Sequence, residues 1–131
     1  MIGYVTLGAK DSAVSGKFYD AVFGALGSER KLADGGWIGY GEAGPEKGFM
    51  ACHSAICPPF NGEPARAGNG IMIAYRAKSQ DAVKAAYEGG MANGGADEGA
   101  PGFRPADATA GFYGAYLRDP TGNKICVFCV A

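Results

Sequence analysis

His53 is the only histidine in a chain of 131 residues, so any imidazole chemistry, as a base or as a metal ligand, must pass through it. There are four cysteines, Cys52, Cys57, Cys126 and Cys129. The last two have the CxxC spacing of a redox dithiol. They fall in the β-like run Lys124 to Val130, however, where an odd separation sends side chains to opposite sheet faces. With no secretion signal at the start, all four are expected to be reduced and the protein cytoplasmic. Cys126 is the one thiol with a case as a nucleophile, against a plainer reading as a small buried residue. Arg104, between Phe103 and Pro105, has the chemistry to anchor a carboxylate. Tyr4, Trp37, Phe49, Met72, Phe112 and Tyr116 are the apolar side chains suited to a small-molecule pocket, though each taken singly fits ordinary core packing equally well. Neither Gly8 to Asp11 nor Gly68 to Gly70 follows a phosphate-binding pattern.

The elements that must position these residues are short. Gly3 to Ala9 reads as a strand, and Asp11 or Ser12 caps a helix whose stripe Val14, Phe18, Val22 and Leu26 ends at Gly27. Three β-like runs follow, Ser28 to Ala33, Trp37 to Gly41 and Gly48 to Ser54. On the third, Ala51 and His53 share a face, which puts His53 near the end of any site on that face. Cys57 to Gly70 is rich in Pro and Asn-Gly and reads as a connecting loop. The order then restarts with a strand from Gly70 to Arg76 and a helix capped by Ser79 with Val83, Ala86, Tyr87 and Met91 on one face. A Pro- and Gly-rich loop including Gly99 to Gly111 comes next, then a hairpin, Phe112 to Arg118 and Lys124 to Val130.

This restart reads as an internal repeat. A shift of 68 superposes Ala9 on Ala77, Lys10 on Lys78, Tyr19 on Tyr87 and Gly27 on Gly95, and within the hairpins a shift of 75 places Trp37 on Phe112 and Pro45 on Pro120. The expected fold is α+β: one domain over 1–131, made of two βαβββ modules, about 1–56 and 70–131, joined by the loop 57–69.

Composition agrees with one buried core. Charged residues are 19% against a usual quarter, and hydrophobic residues 47%. A net charge of −1 gives no footprint for nucleic acid or an anionic membrane, and no run approaches the roughly 18 apolar residues of a membrane span. The expected partner is a small molecule.

The opening Gly3-Tyr4-Val5-Thr6-Leu7-Gly8, the helix-borne Phe18-Tyr19-Asp20 and the closing run from Phe112 through Asp119-Pro120-Thr121-Gly122-Asn123 resemble the vicinal oxygen chelate superfamily, which includes glyoxalases, bleomycin resistance proteins and extradiol dioxygenases. The resemblance implies two modules whose sheets curl into one U-shaped trough. In metal-using members each module supplies one ligand from its first strand, His or Gln, and Glu from its last, and the divalent ion acts as a Lewis acid. Carried over, those positions fall on Tyr4 and Met72, and on Cys126 with Ala51 as its counterpart. Such a set builds no oxygen- or imidazole-rich shell. No cofactor is therefore expected, and an atypical divalent metal on His53 and Cys126 is the lesser alternative. The expected role is metal-free binding of an apolar or aromatic compound by Tyr4, Trp37, Phe49, Ala51, His53, Met72, Arg104, Phe112, Tyr116 and Cys126. The alternatives are a glyoxalase-like lyase, isomerase or dioxygenase, and a structural or partner-binding module. The resemblance and the unpaired sheet edges imply a homodimer.

Overall fold

Two helix caps organise the chain as the repeat predicts. The Asp11 carboxylate accepts from the backbone N–H groups of Ala13 and Val14 and starts α1 (Ser12–Ala25), and the Ser79 hydroxyl accepts from Ala82 to start α2 (Gln80–Ala92). Gly27, at φ +84°, ends the first helix. In the computed structural model, which describes residues 1–131, the strands are β1 (Val5–Gly8), β2 (Ser28–Asp34), β3 (Trp37–Glu42), β4 (Ser54–Cys57), β5 (Met72–Arg76), β6 (Ala96–Phe103), β7 (Phe112–Arg118) and β8 (Lys124–Val130). They form two four-stranded sheets of identical order, β1-β4-β3-β2 and β5-β8-β7-β6. In each, the first strand runs parallel to the last and the rest is antiparallel. The fold is α+β, two βαβββ modules.

The modules are joined on their helix-bearing sides. No strand of one sheet comes within 8 Å, Cα to Cα, of a strand of the other. One core draws on both halves: Phe18, Tyr19, Val22 and Phe23 from α1, Val83 and Ala86 from α2, and inward residues such as Ile56, Leu117, Ile125 and Val127 from the sheets. The helices cross where α2 carries two glycines. A β-carbon at Gly89 would lie 3.1 Å from Cβ of Ala21, and one at Gly90 3.0 Å from the Phe18 ring. Glycine inside a helix costs about 1 kcal/mol relative to alanine, and close packing of the two helices is what offsets it here.

The family-like motifs hold this arrangement together. Asp119 is only 3% exposed. One of its oxygens accepts from the backbone N–H groups of Thr121, Gly122 and Asn123, each at 2.9 Å. The other accepts from the Asn123 amide at 2.9 Å and the Tyr19 hydroxyl at 2.8 Å. Asp20 in turn accepts from Arg30 at 2.7 and 2.8 Å and from the Tyr40 hydroxyl at 2.8 Å. Both motifs are therefore structural. Burial, reinforced by Asp119, drives the Tyr19 hydroxyl well above its ordinary range, so it remains a donor at any physiological pH.

Three expectations require correction. The strand read from Gly48 to Ser54 is instead a 3₁₀ turn, Phe49–Ala51, and the strand itself is β4, displaced toward Cys57. The segment read as loop after α2 contains β6, an edge strand broken by bulges at Asp97/Gly99 and Gly99/Gly102, where Pro101 is tolerated. The shift of 75 also fails. Ala55 lies between Thr6 and Gly39, as Cys126 lies between Ala74 and Tyr116, so the counterpart of Cys126 is Ala55 rather than Ala51.

Candidate functional site

Strand alternation divides each sheet into a face packed on the helices and a face free of them. In the second sheet Tyr113, Ala115, Leu117, Ile125, Val127 and Cys129 enter the core. Phe112, Gly114 and Tyr116, with Lys124, Cys126 and Phe128, therefore occupy the free face, alongside Met72 of β5. Phe112 and Phe128 stack at 5.2 Å with planes 11° apart. Gly114 makes room for them, since a β-carbon there would lie 2.6 Å from the Phe112 ring. The Tyr116 ring sits 5.6 Å from both the Arg104 guanidinium and the Lys124 ammonium. Arg104 is steadied by donating to the carbonyls of Ala100 and Phe103 at 2.9 and 3.1 Å. An aromatic platform with two cations beside it is a surface for a flat ligand.

Cys126 lies under this platform, paired in register with Tyr116 and 1% exposed. Burial pushes its thiol up, only partly opposed by Tyr116, Arg104 and Lys124. It is a protonated thiol at neutral pH, which argues against a nucleophile. All four cysteines are free and buried, with Cys126 on the free face and Cys129 in the core.

The free face of the first sheet is covered by its own chain. Gly39 and Gly41 leave it without side chains, and the 3₁₀ turn drops onto the bare backbone. A β-carbon at Gly39 would collide with the Cys52 sulfur, and one at Gly41 with the Ala51 carbonyl oxygen. Phe49 on the turn packs against Tyr4 at 4.7 Å and Trp37 at 6.1 Å. Glu29 anchors the approach to the turn, accepting from the buried Lys31 at 3.0 Å and from Gly44 N–H at 3.2 Å. These bonds, with the Lys31 bond the stronger, hold its carboxyl down to about 2. Nine of the ten residues expected to bind ligand thus fall into two groups: Tyr4, Trp37, Phe49 and Ala51 at the first sheet, and Met72, Arg104, Phe112, Tyr116 and Cys126 at the second.

His53 joins neither. Alternation does not apply across a 3₁₀ turn, and its ring points to the seam between modules, edge-on to Phe23 at 5.2 Å. Its Nε2 meets the Ser28 hydroxyl at 3.0 Å and its Nδ1 the Ser54 hydroxyl at 2.9 Å. Desolvation lowers its pKa, opposed by Glu42. The unfolded chain therefore takes up this proton at higher pH than the folded protein. Stability should be complete above the ordinary histidine value near 6.5 and fall as pH drops from there toward the lowered native value. Urea denaturation between pH 8 and 5, on the protein and on His53→Gln, checks this: the variant should lack that component of the acid loss.

Sequence reasoning missed Lys124 and Phe128. Period-two alternation through Cys126 contained that signal, since both lie two residues from it on the same face.

A model of the glyoxalase/bleomycin resistance protein/dioxygenase superfamily matches residues 1–127. The chain belongs to that superfamily. Among solved structures, a glyoxalase/bleomycin resistance protein from Albidiferax ferrireducens T118 is 39% identical, with a TM-score of 0.82 over 98% of each chain. A glyoxalase-related enzyme from Fulvimarina pelagi is 21% identical with a TM-score of 0.70, over 96% of this chain and 86% of its own. A superfamily enzyme from Burkholderia phytofirmans PsJN is 17% identical with a TM-score of 0.68, over 99% and 98%. These last two share the fold. A search of the curated proteins gave no match.

Metal-using superfamily members need a ligand cluster, and this chain does not fit that requirement. No three His, Cys, Asp or Glu side chains are grouped so as to hold a metal ion. With the corrected register the four family positions are Tyr4, Ala55, Met72 and Cys126, which present a phenol, a methyl group, a thioether and a buried protonated thiol. No helix is long and apolar enough to cross a membrane.

Proposed function

We propose that this superfamily member binds a small, flat, apolar or aromatic molecule, without a metal, on the free face of its second sheet. The observation that carries this reading is the Phe112–Phe128 stack beside a Tyr116 ring flanked by two cations, on a face with no ligand set. Arg104 and Lys124 would favour a ligand with a carboxylate or electron-rich edge. A second copy of the chain is proposed to wall the site and complete a trough. In its support, Tyr4 and Met72 lie 52% and 42% exposed on faces that carry no helix, and β1 and β5 are free sheet edges.

Thermal shift against a library of aromatic acids and their neutral analogues, with divalent metal or with chelator, tests the reading. Hits should stabilise the protein equally with and without metal, and Phe112→Ala together with Tyr116→Ala should weaken them by about tenfold or more. Sedimentation of the same sample should show a dimer. No hit in a folded sample, or stoichiometric zinc that is lost in Cys126→Ala, would count against it.

A further inference from the structure

Every cation carried by the strands of the second sheet stands on its free face. Strand register puts Arg76 there beside Phe128, and Lys124 beside Met72 and Arg118. Arg104, which follows β6, brings its guanidinium to 5.6 Å from the Tyr116 ring on the same face. The strands of this sheet carry two carboxylates, Asp97 and Glu98. Asp97 pairs in register with the core residue Leu117, so it faces α2, where it accepts from the Tyr87 hydroxyl at 3.0 Å. Glu98 accepts from Arg118 at 2.8 Å and balances that one cation. Arg76, Arg104 and Lys124 belong to none of the protein's ion pairs. A chain of net charge −1 thus gathers three unbalanced positive charges on one aromatic face, a field that draws anions.

The three charges are split between two ends of the platform. Lys124 and Arg104 flank the Tyr116 ring at one end. Arg76 marks the other, because its partner Phe128 lies four positions beyond Lys124 along β8, about 13 Å away at a rise of about 3.3 Å per residue. Between the two ends the sheet is low: Ala74 and Cys126 pair in register there, and both side chains are short. A single carboxylate held by Arg104 and Lys124 would leave Arg76 without a partner. A flat ring system lying over Ala74 and Cys126, edged by Phe128, brings a group within reach of each end.

We propose that the ligand of this face is an aromatic dianion with acidic groups at opposite ends of a flat ring system, one taken by Arg104 and Lys124 and the other by Arg76. The proposal rests on the reading of this face as a ligand site, and it assigns Arg76 as the residue that distinguishes a diacid from a monoacid.

Calorimetric titration at constant pH and ionic strength tests it with three compounds that share one ring system: naphthalene-2,6-dicarboxylate, 2-naphthoate and 2-naphthylmethanol. The diacid should bind about fivefold more tightly than the monoacid, the gain expected from one added exposed ion pair, and the alcohol should bind most weakly. Arg76 is exposed, so Arg76→Gln should fold normally and bring the ratio of diacid to monoacid affinity close to one. Lys78→Gln, at an exposed cation beyond the end of β5, should keep the ratio of the parent. Equal affinities of diacid and monoacid for the parent, or an undiminished ratio in Arg76→Gln, would overturn the proposal while leaving the face a ligand site. Failure of all three compounds to bind would remove that site and the proposal with it.

Discussion

Asp119→Ala should destabilise the protein by about 3–5 kcal/mol, the cost of removing one member of a buried, charge-assisted network. Three backbone N–H groups of the turn lose their acceptor, and so do the Asn123 amide and the Tyr19 hydroxyl, in a place closed to solvent. The damage does not stay in the turn. Thr121 accepts from Lys10 N–H at 3.0 Å and Asn123 donates to the Gly8 carbonyl at 2.8 Å, so the same five residues tie the end of β1 to the second module. Tyr19→Phe removes one hydrogen bond and leaves Asp119 its other four, and should cost about 1–2 kcal/mol. Asp119→Asn should fall between, because the amide that replaces one oxygen cannot accept. Equilibrium urea denaturation of the three variants measures the ranking. An Asp119→Ala protein within 1 kcal/mol of the parent would show that the motif is kept for something other than the fold.

Gly41→Ala should be nearly as costly, about 2–4 kcal/mol, although alanine has no conflict with strand geometry. Its methyl group would meet the Ala51 carbonyl, a backbone atom with no rotamer to change. Strand β3 is paired on both sides and cannot retreat, so the 3₁₀ turn must lift. Trp37 is the only tryptophan, and its neighbour Phe49 would leave with the turn. The expected result is a red-shifted tryptophan emission together with the loss of stability. Gly24→Ala is the matched control: nothing lies within 4 Å of a β-carbon there, and in α1 it should be neutral or stabilising by up to about 1 kcal/mol. Unchanged emission and stability in Gly41→Ala would mean that the turn does not rest on the strand.

The elements that local chemistry specifies were legible in the sequence. Asp11 and Ser79 mark the helix starts, Gly27 a helix end, and Phe112 to Val130 the closing hairpin, because caps, positive-φ glycines and alternation act over a few residues. The 3₁₀ turn was not legible. Gly48 to Ser54 has the composition of a strand, and what bends it is the pair of bare positions on a different strand. β6 was missed for the opposite reason: as an edge strand with bulges it tolerates Pro101 and glycines that elsewhere signal a loop. Of the site, residue types on the second sheet were readable, but not that His53 turns away from it. That depends on Phe23 and Tyr75, which reach the histidine from a helix and from the other module.

The hydrogen bond from Tyr19 to Asp119 spans 100 positions of chain, and this bears on how the protein is made. A ribosome releases the first module long before Asp119 has been synthesised. During that interval α1 carries Phe18, Tyr19, Val22 and Phe23 without the second-module members of the same core, such as Val83, Ala86, Leu117 and Val127. Loop closure over such distances is slow, and the apolar face must wait for it. The repeat is therefore a unit of sequence but not of folding. The nascent first half is the species most exposed to aggregation, and α2 with the strands of the second sheet ends the exposure.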